Sequence, residues 1–396
     1  MTTLRSDQAV TKELLEGRNQ AALREIIALE VALQGHATLS FLAPYRTKLL
    51  VFVQQCRQQA EKNLFLLKIE VDDLIDDIRS WTALVLENVR VATHLLAGPL
   101  LRAVERDHLS IKLIDWIHHT DARSSLMPAI CRDGDPAVFP FIEFTPIYQF
   151  PTLKQYSLLH LPLYFHEFGH VLYALHRPEM DDLVKELQDF ILSELEPMSQ
   201  RNDLRAKRQR ELQLAVAVTW YAWTQELFCD AVGITMVGPA YGYAFSDYLL
   251  RLDRGDFSLD RLALAYSSHP ITWLRIKFLV SRSNSLGYGL MASELESHWA
   301  SVASSLGVVE DFYGYFESTW KEKIENVLGD MLIEVSPRVC TQDESSAATE
   351  WSAQANPVHL LNRAWQMART GADSFLVWEP SAIAAFCRGA CHQSQA

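Results

Sequence analysis

Two histidines four residues apart, the first followed directly by a glutamate, stand at the centre of this 396-residue chain: His166-Glu167-Phe168-Gly169-His170. On an α-helix, residues at i and i+4 share a face, so both imidazoles can point at one metal ion. Glu167 is offset around the helix but close enough to reach a water at that ion. The pattern is suited to zinc-assisted hydrolysis, with the glutamate as general base. A catalytic zinc takes three protein ligands and keeps one position open, so a third ligand has to come from elsewhere in the chain.

A second segment offers that ligand. In Gln225-Glu226-Leu227-Phe228-Cys229-Asp230, two carboxylates four residues apart end the apolar run Leu212–Trp223. Carboxylates are costly to bury without a partner. A zinc ion would compensate Glu226. A zinc-bound imidazole would compensate Asp230, since ligating histidines usually donate their second ring N–H to a carboxylate or carbonyl. The competing reading of the pair is a buried network with an arginine. Cys229 reads as a small packed hydrophobe.

With these residues in place the chain resembles the gluzincin metallopeptidases, zinc enzymes with His-Glu-x-x-His followed by Glu-x-x-x-Asp on a second helix. A third segment extends the likeness: Ser267-Ser268-His269-Pro270-Ile271-Thr272-Trp273-Leu274-Arg275-Ile276. It is similar to the His-Pro…Arg-Ile segment of the branch that holds the CAAX prenyl proteases and the membrane heat-shock peptidases. The resemblance spans residues 138 to 280. It implies a zincin-like core, one catalytic Zn2+ on His166, His170 and Glu226, and Asp230 behind a ligand. It also implies a histidine that stabilises the transition state, here His269, with Arg275 as a nearby support. The chain departs from that branch in showing no transmembrane pattern. Among the nearby tyrosines, Tyr241 and Tyr266 are the first candidates for an oxyanion or substrate contact.

The elements that must position these groups read as mainly α with a small β-sheet. Residues 1–106 form an N-terminal helical region, interrupted near Gly98-Pro99. Residues 107–280 are expected to carry the metallopeptidase core, and 281–396 a C-terminal helical region. Leu109–Asp115 alternates apolar and polar residues and suggests a strand. Val138–Thr145 is a second β-rich run, and Pro140 marks it as an edge that could hold an extended peptide. Helices follow over the zinc motif, 179–196, 204–237 and 241–252, with Gly238-Pro239 as a stop. His118-His119 and Cys387-x-x-x-Cys391-His392 are read as ordinary loop and tail residues rather than metal sites.

Composition narrows the function classes. The formal net charge of −13 disfavours nucleic acid as a main partner. Six scattered cysteines suit a reducing compartment. The N-terminus lacks a signal pattern, and no long uncharged apolar run is seen, so a cytoplasmic protein with no membrane partner is expected. The function expected is a zinc metallopeptidase acting on a protein or peptide substrate, gated by its flanking helices or an unknown regulatory partner. The alternatives are an inactive zinc-binding scaffold and a zinc hydrolase of a non-peptide amide.

Overall fold

The structure, a computed structural model, describes residues 2–35, 42–69, 72–101, 108–128, 130–140, 145–151, 154–195, 204–250, 264, 267–308, 312–346 and 356–388. It is mainly helical, with one small three-stranded sheet. Its contacts define two compact units: residues 1–107 with the short pieces 128–132 and 143–145, and the remainder of the chain.

The first unit contains α1 (Thr2–Gly35), α2 (Ala43–Lys68), α3 (Ile75–Val91) and the short α4 (Gly98–Leu101). Apolar residues at helical spacing, among them Leu15, Ala22 and Ile26 on α1, Leu49 and Val53 on α2, and Ile78 and Val85 on α3, bury one face of each helix. Amid them Asn19 Nδ2 donates to Thr82 Oγ1 at 2.8 Å, and Asn63 Nδ2 donates to Asn19 Oδ1 at 3.1 Å. Between α3 and α4 the chain passes through a π-helical turn, Ala92–Leu96, just before Gly98-Pro99. By length and composition alone the stretch Ile75–Leu101 is apolar enough to cross a membrane, although Ile78, Thr82, Val85 and Val89 are buried inside the protein.

The second unit opens with α5 (His108–His118), not the strand expected over 109–115. Leu109, Ile111 and Leu113 do alternate, but the run continues through Ile114 and Ile117. The resulting spacing 110, 113, 114 and 117 lays one buried helical face. The strands of the sheet are β1 (Cys131–Asp133), whose Cys131 and Arg132 count with the first unit, β2 (Ala137–Phe139) and β3 (Ile147–Phe150), in the order β1-β3-β2. β2 lies at an edge, antiparallel to β3, with Val138 opposite Tyr148. β3 is buried along its whole length. Of the expected β-run, 141–144 lies outside the described residues and Thr145 is not in a strand.

α6 (Tyr164–Leu175) carries the histidine motif. A 3-10 turn over Leu161–Leu163, with Pro162 in it, leads into the helix. α7 (Arg177–Glu194) begins at once, with Pro178 in its first turn, where a missing N–H costs nothing. α8 (Leu204–Val237) runs over the expected range and stops at Gly238, whose φ is 74°. α9 (Pro239–Leu249) follows. Beyond it come α10 (Thr272–Ser285), α11 (Gly289–Leu306), α12 (Lys321–Val335), the short α13 (Gln342–Ser346), α14 (Pro357–Thr370) and α15 (Ala372–Arg388).

Residues 281–396, expected as a separate helical region, belong to the same unit as the motif helix. They fix the entry to α6. The Glu379 carboxylate of α15 accepts from the Ser157 hydroxyl at 3.0 Å and the Leu158 N–H at 2.7 Å. Trp365 Nε1 of α14 donates to Leu159 O at 3.0 Å. Asn362, also on α14 and buried, ties the α8–α9 corner. Its amide donates to Val237 O at 2.8 Å and accepts from Ala240 N–H at 3.0 Å. Replacing it with leucine leaves both backbone groups buried without partners. We expect Asn362→Leu to lower the unfolding free energy by about 2–3 kcal/mol in urea titrations.

Candidate metal centre

α6 and α8 cross at close range because Gly169 lies at the contact. A Cβ built there would lie 2.8 Å from Cys229 Cα, a backbone atom that cannot yield cheaply. The small residue between the two histidines therefore lets α8 bring its acidic face up to both rings. His166 Nε2 lies 3.4 Å from Glu226 Oε2, and His170 Nε2 lies 3.4 Å from Glu226 Oε1. Glu226 is buried, and its Oε2 has no hydrogen-bond partner. His166, His170 and Cys229 offer donor atoms within 4.8 Å of one another, a cluster that could hold a metal ion.

Glu226 and Cys229 thus compete for the place of third donor, and their charge states differ. Burial raises the Cys229 thiol well above its ordinary value, and the neighbouring Glu226, Glu167 and Asp230 carboxylates push it the same way. It is held as the thiol. Burial opposes ionisation of Glu226 too, but the facing His166 and His170 rings and the Arg275 guanidinium outweigh it and hold this carboxyl well below its usual range. A metal needs the deprotonated donor, which favours Glu226.

Asp230, one turn beyond Glu226, gathers three partners. Its Oδ1 accepts from His166 Nδ1 at 2.9 Å, from the Tyr241 hydroxyl at 2.7 Å and from Arg275 Nη2 at 2.7 Å. Its Oδ2 accepts from Arg275 Nε at 2.8 Å. Arg275 is in turn stacked over the Phe245 ring, 4.7 Å from its centroid. Burial would raise the Asp230 pKa, but the Arg275 guanidinium and His166 bring it down to about 2. The arginine network that competes with a metal site is present, but it centres on Asp230 and leaves Glu226 Oε2 unbonded. Arg275 Nη2 stays 3.6 Å from that oxygen.

His166 is the group that answers this charge. Burial alone would lower its pKa, but the Asp230 and Glu226 carboxylates dominate and raise it to about 10. The carboxylates thus favour the doubly protonated ring. Glu167 is buried beside it, and loss of hydration raises its carboxyl above the ordinary value. A raised carboxyl is suited to taking up and returning a proton.

The other expected residues occupy different positions around this cluster. His269 stands at the rim, its side chain 63% exposed, with Nε2 3.6 Å from Glu226 Oε1. Tyr241 is fully buried and its hydroxyl is committed to Asp230, so it positions that carboxylate in place of the expected substrate contact. Gly233 makes room for it, since a Cβ there would lie 2.4 Å from the Tyr241 ring. Tyr266 lies outside the described residues, as do Cys391 and His392. His118 sits at the end of α5, buried, with Nε2 2.9 Å from the Tyr148 hydroxyl; burial lowers its pKa to about 4. It packs against Phe168 on the back of α6. Sequence reasoning missed the place of Cys229 in the donor cluster, although its position one turn from Glu226 was the available signal.

No family model matches the chain, and neither a search of curated proteins nor one of solved structures returns a match.

The site predicts two measurable behaviours. Metal binding near pH 8 should release about two protons, one from water on the ion, whose pKa falls towards about 7, and one from His166, whose folded pKa is about 10 while an unperturbed imidazole is already neutral there. Titration calorimetry in buffers of different ionisation enthalpy reads this as a slope near two; a slope of one or less would contradict it. Arg275→Met strands the buried Asp230 carboxylate and should cost about 3–5 kcal/mol in unfolding experiments on metal-free protein.

Proposed function

We propose that the chain is a zinc-dependent metallopeptidase of the gluzincin type, with Zn2+ on His166, His170 and Glu226. The observation that carries this reading is the buried Glu226 carboxylate, which lacks a hydrogen-bond donor at Oε2 yet stands 3.4 Å from both imidazole Nε2 atoms. Ligands held tetrahedrally about 2.05 Å from zinc are separated by roughly 3.3 Å, close to the 3.4 Å that separates each Nε2 from its nearer Glu226 oxygen. Asp230 supports the assignment, because its bond to His166 Nδ1 leaves Nε2 as the ligating nitrogen.

When bound, the ion would supply a Lewis acid that polarises the scissile carbonyl and brings the pKa of water towards about 7. The chain's own groups do the rest. Glu167 accepts the proton of the attacking water on its carboxylate and returns it to the leaving amine nitrogen. Its burial raises its pKa, so it holds the proton between those two events. His269, at the rim beside Glu226, donates a hydrogen bond to the carbonyl oxygen as negative charge develops. Arg275 and Tyr241 keep Asp230 ionised and aligned, and so fix the His166 ring. The edge strand β2 packs on α6 and supplies a ladder edge for an extended peptide.

A structural zinc scaffold has no use for a buried carboxylate directly beside the two ligands, and Glu167 is such a group. Glu167→Gln should therefore keep one zinc per chain while lowering peptide hydrolysis by about 10²–10⁴-fold. The assay compares new N-termini produced in a cell extract by the wild type and the variant, with zinc measured by mass spectrometry. Equal turnover would remove Glu167 from the mechanism. No new N-termini from either protein would favour the scaffold or a non-peptide amide. Glu226→Ala should lose most of the zinc, whereas Cys229→Ala should retain it.

A further inference from the structure

A separate cavity lies between α8, α10 and α12, on the side of α8 lined by Leu227, Asp230 and Ala231. Its volume is about 160 Å³. Phe278, Leu328 and Leu332, all buried, form much of its wall. Two charged groups also line it, each with a buried atom that lacks a hydrogen-bond partner: Arg282 Nε and Glu325 Oε1. Among the described residues, the Arg282 side chain hydrogen-bonds the Thr235 hydroxyl alone, through Nη2 at 3.3 Å. Lys321 Nζ is 3.6 Å from Glu325 Oε1, beyond a good hydrogen bond. The two side chains do not pair with each other. Gly329 forms part of the floor, and a Cβ built there meets nothing within 4 Å.

We propose that this cavity binds a free apolar α-amino acid. A volume of this size holds a ring the size of benzene, so the apolar wall has room for a leucine side chain, with the polar end of the amino acid towards the partly exposed Glu325. The Arg282 guanidinium and the Glu325 carboxylate supply opposite charges for a carboxylate and an ammonium, and the one buried atom that each leaves without a hydrogen bond is a group that a ligand is expected to satisfy. Loss of hydration lowers the Arg282 pKa without any carboxylate to oppose it, consistent with an anion missing from this wall. If the chain is a peptidase, the occupant belongs to its product class and sits against the helix that carries Glu226 and Asp230. That link rests on the proposed function, whereas the binding does not.

The test is isothermal titration and saturation-transfer NMR of the full chain with L-leucine, each read without any activity assay. Saturable binding is expected for the wild type. Gly329→Leu, which adds bulk into open space, should abolish it, and Arg282→Leu and Glu325→Gln should each weaken it at least tenfold. 4-Methylpentanoate, which lacks the ammonium, should also bind at least tenfold more weakly. No saturable binding of L-leucine, or binding unchanged in folded Gly329→Leu protein, would overturn the proposal. Equal binding of 4-methylpentanoate would overturn the amino-acid assignment and leave a simple carboxylate site. Hydrolytic inactivity with intact leucine binding would count against the proposed function alone.

Discussion

The centre depends on one buried carboxylate. Asp230 is surrounded by low-dielectric packing and is kept ionised by the Arg275 guanidinium, the Tyr241 hydroxyl and His166 Nδ1. Three separate elements, α6, α9 and α10, are tied to α8 through this single side chain. Such a pair is not a large source of net stability, because desolvation offsets much of the attraction. Its effect is geometric, since its two oxygens hold His166, Tyr241 and Arg275 at once. That arrangement presents both Nε2 atoms to Glu226.

Close helix approach makes the arrangement possible. Gly169 lets α6 lie against Cys229, and Gly233 lets the Tyr241 ring lie against α8. A side chain at either would force its neighbour, Cys229 or the Tyr241 ring, out of place. The α8–α9 corner that presents Tyr241 is held by Asn362, and the entry to α6 by Glu379 and Trp365. The C-terminal helices thus act on the centre through its backbone rather than through any ligand.

Much of this is legible in the sequence. Spacings within one helix survive folding, so residue numbers alone place His166, Glu167 and His170, and again Glu226 and Asp230, on their helical faces. α8 itself follows from its long apolar run and the Gly238-Pro239 stop. Local alternation misleads at Leu109–Leu113, where packing of Ile114 and Ile117 selects a helix. The buried strand β3, Ile147–Phe150, escapes a sequence reading because it is buried on both faces and has no period of two. The commitment of Tyr241 to Asp230, and the cavity between α8, α10 and α12, depend on contacts between different helices. No spacing within a single segment encodes them.

We propose that two imidazoles and the Glu226 carboxylate, not the Cys229 thiol beside them, form the donor set for zinc. X-ray absorption fine structure of the zinc-loaded protein addresses it directly, because sulfur and light-atom ligands differ in scattering and bond length. A first shell of only nitrogen and oxygen at about 2.0–2.1 Å is the predicted result. A sulfur at about 2.3 Å would rule out this donor set and move the third ligand to Cys229.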